Sequence, residues 1–194
     1  MAQTLTRLTR WLRYGLLCGL LTGLPSPTAA APIIGEAAPP LDLPSLDLRR
    51  ASATLGPRKS IVPRPGHVWV VDFFATWCGP CLKATVALDE VLRPLGDRVT
   101  LIVVDVNQPA ALVQEHFLKQ PLPKGALLVL DSDGQAAKRW GQDRFPTTFL
   151  IDERGVIAHI NRGYGPGYQA RIDRWLRAML NPPPSPAAGR SPTE

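Results

Sequence analysis

Two cysteines, Cys78 and Cys81, stand two residues apart in the stretch FFATWCGPCLK, directly after a run of large apolar residues. Cysteines at this spacing serve in thiol–disulfide exchange, as half of a metal site or as a structural disulfide. In the first case one thiolate attacks a foreign disulfide and the other resolves the mixed disulfide that forms. We assign the attack to Cys78 and the resolution to Cys81, since Cys81 lies one helical turn further on and faces the same side.

The other two uses of the pair fit the sequence less well. A disulfide that closes so short a loop removes little entropy from the unfolded chain, which argues against a structural role. A structural zinc site needs two further ligands, and His67, His116 and His159 are isolated and lack the spacing of a zinc-binding pair. The sequence therefore favours redox exchange and predicts no metal and no organic cofactor.

Asp72 is a third residue with chemistry of its own, because it interrupts the apolar run HVWVVDFFA just before the cysteines. Burial of a carboxylate as an ion is costly and raises the pKa of the group. One interpretation is a buried acid that accepts the proton of Cys81, directly or through water. The alternative is an aspartate at a wet strand edge. We favour the buried acid, since aspartate is depleted in strands.

The pair lies where a predicted buried strand (67–75) gives way to a predicted helix (78–95). The first N–H groups of a helix have no partner within it, and the helix dipole is positive there. A thiolate at Cys78 is therefore stabilised, and we expect its pKa to fall below the usual value of about 8.5. Pro80 fits the first helical turn and stiffens the ring that the disulfide closes. Gly79 removes side-chain bulk beside the attacking sulfur.

The remaining apolar patterns complete one domain whose core runs from about residue 60 to 180. Further strands are predicted at 99–106, 125–131, 147–152 and 156–161, and further helices at 109–119, 135–140 and 167–180. Strands that alternate with helices, followed by a hairpin and a closing helix, specify an α/β sheet with helices on both faces.

The two ends of the chain have a different composition. Residues 1–30 join three arginines to a short apolar run and a small-residue site, which is the pattern of a secretory signal. We predict cleavage after Ala30, with an uncleaved membrane anchor as the alternative, and Cys18 leaves with the signal. The rest is divided into a linker and irregular segment at 31–60 with a short edge strand near 46–48, a folded domain at 61–180 and a disordered Pro-rich tail at 181–194.

The formal charge of +6 does not by itself indicate an acidic binding partner. Three of the basic residues lie in the predicted signal, which has no acidic residue, so the exported chain has an ordinary charge. The remaining bases are scattered and form no stripe interleaved with aromatic residues. We therefore predict no nucleic-acid partner.

The stretch VVDFFATWCGPC (70–81) resembles the active-site strand and turn of the thioredoxin superfamily, and its WCGPC motif is highly specific. WGQDRFPTTFLID (140–152) and RGYG (162–165) agree with that family as well, and the resemblance covers roughly residues 38–180. It implies a thioredoxin fold, an α/β architecture with a central mixed β-sheet flanked by helices. The buried acid of thioredoxins matches Asp72.

The resemblance also implies a substrate-binding loop. The bond Phe145–Pro146 matches the family's cis proline, although base rates alone favour a trans bond there. In the family this turn lies against the redox sulfurs, and the backbone at the position of Phe145 pairs with an extended substrate segment. Trp77 either packs in the interior or forms part of an exposed apolar rim around the sulfur, and we favour the rim because Trp77 adjoins the turn.

Two segments are similar to the exported, membrane-associated branch named after the TlpA and ResA proteins. They are LLVLDSDGQAAKRWG (127–141), an αβ insertion that a minimal thioredoxin lacks, and AAPPLDLPSLD (37–47). This branch implies a bacterial thiol–disulfide oxidoreductase in the periplasm or another exported compartment. It further implies reduction of protein disulfides, electrons from a membrane dithiol reductant and, in several members, service to cytochrome c maturation.

Two alternatives to a reductant stay open. One is a disulfide oxidase on the same fold, because the direction of exchange depends on the reduction potential. The other is a metal-binding chaperone that uses the pair, although copper-carrying relatives generally have a C-x₃-C spacing and a distal histidine that this sequence lacks. Two departures from the thioredoxin pattern also stand out: Val103 replaces a lysine near the buried acid, and Val86 replaces the proline that kinks the first helix.

Overall fold

A computed structural model describes residues 31–50 and 52–182. The predicted signal at 1–30, including Cys18, and residues 183–194 of the predicted tail lie outside the described residues. The strands are β1 (Asp42–Asp47), β2 (Thr54–Ser60), β3 (Val68–Phe74), β4 (Val99–Val106), β5 (Leu127–Asp131), β6 (Thr147–Ile151) and β7 (Ile157–Arg162). The helices are α1 (Gly79–Leu92), α2 (Ala110–Lys119), α3 (Gln135–Arg139) and α4 (Tyr168–Leu180).

The seven strands form one mixed sheet in the order β2-β1-β5-β4-β3-β6-β7. Strands β3, β4 and β5 run parallel, while β1, β2, β6 and β7 pair antiparallel with their neighbours. Every residue of β3 is buried, as expected for a strand covered on both faces. This architecture confirms the predicted thioredoxin fold.

Helices cover both faces of the sheet, as the sequence predicts. The buried residues of α1, α2 and α4 pack on one face together with Val70, Phe74 and both cysteines. The other face is covered by α3 and Trp140, which pack against Phe73 and Phe149. The predicted insertion is present as β5 and α3, and β5 lies between β4 and β1 in the sheet.

The segment at 31–60 differs from the predicted linker with a short edge strand near 46–48. Strands β1 and β2 pair antiparallel as a hairpin, and β1 joins the sheet through β5, where Ser45 is in register with Val129. The hairpin is stabilised by backbone hydrogen bonds to a strand far away in the sequence. Its Pro-rich sequence has no clear alternation of apolar residues, and this explains why local periodicity missed it.

The first helix is shorter than the predicted 78–95. Helix α1 ends at Leu92, and a 3-10 helix at Arg93–Arg98 follows. Pro94 explains the change, because a proline disfavours the α conformation of the residue before it and lacks an N–H group. Among the described residues, no helix combines the length and apolar character needed to cross a bilayer.

Candidate active site

Cys78 caps the N-terminus of α1, with an extended backbone (φ −86°, ψ 94°) and Pro80 in the first turn. Its Sγ accepts a hydrogen bond from the backbone N–H of Cys81 at 3.2 Å. This is the contact expected where a helix begins after a buried strand, since the first helical amides lack partners within the helix. The amide of Cys81, which also donates to the backbone carbonyl of Cys78 at 3.0 Å, thus reaches the sulfur that the sequence predicts to be the nucleophile.

The two cysteines form a disulfide, with an S–S distance of 2.07 Å and Cα atoms 5.2 Å apart. Cys78 is 4% exposed and Cys81 is fully buried, whereas Gly79 and Pro80 between them are exposed. A thiolate that approaches from solvent therefore meets the sulfur of Cys78 first. This difference in access agrees with the predicted roles of attacking Cys78 and resolving Cys81.

An apolar rim lies beside the disulfide. Trp77 is 70% exposed, and its ring meets the half-buried ring of Phe145 edge-on, with centroids 5.4 Å apart. The Phe145–Pro146 peptide bond is cis, as the resemblance implies. Among the described residues, the backbone N–H and C=O of Phe145 make no hydrogen bond, so both are free to pair with an extended segment. The geometry favours the rim over interior packing for Trp77.

Gln108 holds the turn that carries the cysteines. Its side-chain Oε1 accepts a hydrogen bond from the backbone N–H of Thr76 at 2.7 Å, and its Nε2 donates to Thr76 Oγ1 at 2.8 Å. Gln108 itself is only 8% exposed. One buried amide thus holds both the backbone N–H and the side chain of Thr76, just before Trp77 and Cys78.

Replacing Gln108 by methionine keeps the size of the side chain and removes both hydrogen bonds. We expect the free energy of unfolding to fall by about 1–3 kcal/mol, because the amide of Thr76 loses its partner. We also expect disulfide exchange to slow by roughly fivefold, since a looser turn holds the nucleophile less well. Denaturant unfolding measures the first effect, and the rate of insulin reduction measures the second.

Gln114→Met is the matched control for this variant. Gln114 is also a buried glutamine, and its side chain donates to the backbone carbonyl of Arg50 at 2.8 Å, away from the cysteine turn. The Gln114→Met variant should have a lower free energy of unfolding and an unchanged rate of disulfide exchange. Equal rates in the two variants would show that Gln108 has no particular effect on the turn.

Asp72 lies on β3 with its side chain on the same face of the sheet as the cysteines, and it is fully buried. This excludes the wet strand edge. Burial raises the pKa of Asp72 to about 7, against the opposing effect of a hydrogen bond that Thr148 Oγ1 donates to Oδ1 at 2.7 Å. Its neighbour in register on β4 is Val103, as predicted, so β4 supplies no basic partner there. The carboxyl is therefore able to exchange a proton near neutral pH.

The hydrogen bond to Asp72 continues into α4. Thr148 Oγ1 lies 2.9 Å from the hydroxyl of Tyr168, which is 1% exposed. Burial and the nearby charge of Asp72 raise the pKa of Tyr168 well above its usual range, so its hydroxyl keeps its proton.

A second buried acid, Asp105, lies at the end of β4 and on the same face of the sheet as Asp72. Burial raises its pKa to about 7, and neither of its carboxyl oxygens has a hydrogen-bond partner in the described residues. Asp105 is in register with Phe74, whose ring contacts His116 on α2 with centroids 5.6 Å apart. A protonated Asp105 fits these apolar surroundings.

Four residues around the cysteines were not predicted from the sequence: Gln108, Thr148, Tyr168 and Asp105. Asp105 gave a signal, because it interrupts the apolar run VTLIVVDV as Asp72 interrupts its own strand. The others gave none, since a glutamine in a loop, a threonine in a strand and a tyrosine at the start of a helix are ordinary there.

Comparison with known proteins agrees with this geometry. Residues 42–174 match the family described as Redoxin. Over 66% of its length the chain is 26% identical to the thioredoxin-like protein YneN of Bacillus subtilis, of which 71% is covered. Over 66% of its length it is also 30% identical to the thiol:disulfide interchange protein DsbE of Allochromatium vinosum, of which 66% is covered.

A solved structure shows the same fold. A candidate thiol:disulfide interchange protein DsbE from Chlorobium tepidum superposes with a TM-score of 0.66 at 21% identity. The superposition covers 78% of this chain and 100% of that one. At this identity the likeness concerns the arrangement of strands and helices alone.

Proposed function

Since this chain belongs to the Redoxin family as a thioredoxin-like thiol–disulfide oxidoreductase, we propose that it reduces disulfides in exported proteins. The observation that carries the proposal is the Cys78–Cys81 disulfide at the start of α1, with Cys81 fully buried and its amide on the sulfur of Cys78. Only one of the two sulfurs is then open to a foreign partner, as a resolving mechanism requires.

The proposed reaction begins from the reduced dithiol. The thiolate of Cys78 attacks one sulfur of the substrate disulfide, forms a mixed disulfide and releases the other substrate sulfur as a thiolate, which takes a proton from water. Cys81 then gives its proton to Asp72 and attacks the sulfur of Cys78. The Cys78–Cys81 disulfide forms, and the second substrate thiolate leaves and takes the proton. Two electrons pass from the enzyme to the substrate.

The substrate is proposed to bind along the apolar rim. An extended segment pairs with the free backbone groups of Phe145, and its apolar side chains cover Trp77, the most exposed aromatic residue of the site. Backbone pairing of this kind tolerates many sequences, because the hydrogen bonds involve only main-chain groups. The site is therefore suited to several protein disulfides.

The surroundings of Cys78 support a reductant over an oxidase. A strong oxidant stabilises its reduced thiolate, through basic neighbours or several hydrogen bonds. In the described part of the chain, Sγ of Cys78 accepts one hydrogen bond, from the amide of Cys81, and none from a Lys, Arg or His side chain. One amide donor and no basic side chain at this sulfur support a couple that gives up electrons more readily than a strong oxidant does.

Export, the electron donor and the pathway belong to the same proposal. The signal pattern at 1–30 supports an exported compartment such as the periplasm, with attachment to the membrane if the signal is not cut. A relative bears the name thiol:disulfide interchange protein DsbE. We propose that a membrane dithiol reductant restores the reduced Cys78 and Cys81 and that the substrates include disulfides that must be reduced for cytochrome c maturation.

The reduction potential against glutathione tests the direction. We expect a value below about −230 mV, closer to the roughly −270 mV of thioredoxin than to the roughly −120 mV of the oxidant DsbA. Equilibration with glutathione redox buffers, followed by thiol alkylation, measures it. A potential near that of DsbA would make the protein a disulfide oxidase.

A further inference from the structure

We propose that Thr148 and Tyr168 are positioning residues for the redox reaction, forming an oriented chain of hydroxyl groups that sets how readily Asp72 takes a proton. The chain runs from α4 through β6 to the acid on β3. The proposal builds on the proposed role of Asp72 as proton acceptor. It does not depend on the direction of electron flow.

The distances define an unbroken chain inside the core. Thr148 Oγ1 donates to Asp72 Oδ1 at 2.7 Å and lies 2.9 Å from the hydroxyl of Tyr168. Asp72 and Thr148 are fully buried, and Tyr168 is 1% exposed. Hydrogen bonds in such apolar surroundings are stronger than in water, and each one polarises the next.

The number of hydroxyl protons fixes the direction of the chain. Thr148 has one hydroxyl proton, and the carboxylate of Asp72 can only accept. Thr148 therefore donates to Asp72 and must accept from Tyr168. Both hydroxyl dipoles then point towards the carboxylate, which stabilises the charged form of Asp72.

The chain also leaves only one oxygen of the Asp72 carboxylate without a partner among the described residues. Oδ1 is occupied as an acceptor by the hydroxyl of Thr148, whereas Oδ2 has no hydrogen-bond partner in the described residues. The oxygen of the carboxylate that is open to an incoming proton is therefore Oδ2. Without the chain, burial alone acts on Asp72, and the acid keeps its proton to a higher pH.

Other charged groups near Asp72 are few. Its neighbour on β4 is the apolar Val103, and α1 contributes the two cysteines, which do not titrate while joined. Arg171 on α4 lowers the pKa of Tyr168, a smaller effect than those of burial and Asp72. Further titratable side chains on this face are Asp105 on β4 and His116 on α2, both against Phe74, and His159 on β7, which stacks on Trp175 of α4 with ring centroids 4.5 Å apart.

The experiment is the titration of Asp72 in the oxidised protein by carbon NMR of labelled aspartate. The disulfide keeps both thiols out of the titration, so the result does not depend on whether the enzyme reduces substrates. The signal of Asp72 is separated from that of Asp105 with an Asp105→Asn background. The variants are Thr148→Val and Tyr168→Phe, both of nearly unchanged shape.

We expect Thr148→Val to raise the titration midpoint of Asp72 by about one to two pH units, because it removes a hydrogen bond to a charged group. Tyr168→Phe should raise it by roughly half a pH unit, through the loss of polarisation of Thr148. Two controls should leave the midpoint unchanged. Thr148→Ser keeps the hydroxyl, and Tyr164→Phe removes a partly exposed hydroxyl whose ring lies 5.1 Å from that of Tyr168.

Unchanged midpoints in both Thr148→Val and Tyr168→Phe would overturn the proposal. A shift in Thr148→Val alone would reduce the chain to one hydrogen bond and overturn the role of Tyr168. If the midpoint of Asp72 shifts as expected in both variants but the protein does not reduce disulfides, the result would count against the proposed function and leave this inference standing.

Discussion

Replacing Cys78 by serine is expected to lower the rate of protein disulfide reduction by at least about a thousandfold. The hydroxyl of serine is not ionised at neutral pH, and the remaining thiol, Cys81, is fully buried. No accessible nucleophile is then left in the turn. The rate of insulin reduction, with dithiothreitol as electron donor, measures the loss.

Cys81→Ser is the informative counterpart, because it keeps the accessible nucleophile and removes the resolving thiol. Cys78 still attacks, and the mixed disulfide persists for lack of a second thiol. Mass spectrometry should find substrate bound to Cys81→Ser in a form that reductant releases, and none bound to Cys78→Ser. Full activity in Cys78→Ser, or trapping through Cys81 in that variant, would contradict the assigned roles.

Asp72→Asn is expected to stabilise the oxidised protein at pH 8. The pKa of Asp72 is raised to about 7 in the folded chain, against 3.8 as the ordinary value. Between these values the folded chain holds a proton that the unfolded chain has lost, so stability falls as the pH rises from about 4 to 7. The total loss is on the order of 4 kcal/mol. Denaturant unfolding at pH 4 and pH 8 measures it.

The increase in the free energy of unfolding of Asp72→Asn over the wild type should therefore be present at pH 8 and nearly absent at pH 4. Asp47→Asn is the opposite control: a hydrogen bond from the backbone N–H of Arg49 lowers the pKa of Asp47, so its removal brings no gain at pH 8. An equal increase in the free energy of unfolding of Asp72→Asn at pH 4 and pH 8 would mean that burial does not raise the pKa of Asp72.

The same variant tests the proposed role of the acid in the reaction. The amide introduced by Asp72→Asn cannot accept the proton of Cys81, and we expect the resolution of the mixed disulfide to slow by about a hundredfold. Stopped-flow measurement of product release at pH 7 follows this step. A protein that is more stable at pH 8 yet resolves at the normal rate would show that Asp72 is buried without acting as the proton acceptor.

The sequence alone determined the features that depend on neighbouring residues. The spacing of Cys78 and Cys81, the buried strand before them and the helix after them are local patterns, and a helix start has unpaired amides wherever it occurs. The alternation of apolar segments predicted the strands and helices of the α/β sheet. These predictions needed no knowledge of which segments lie side by side.

Only the tertiary structure decided which distant groups surround the cysteines. The partner of Asp72 is Thr148, 76 residues away, and the residue that holds Thr76 is Gln108, 32 residues away. The hairpin at β1 and β2 likewise depends on the edge of β5. Backbone and side-chain hydrogen bonds of this kind leave no periodic trace, because any strand edge or hydroxyl can make them once folding brings it close. The chemistry of Cys78 and Cys81 is thus determined by the local sequence, whereas the proton affinity of Asp72 is determined by packing between residues far apart in the sequence.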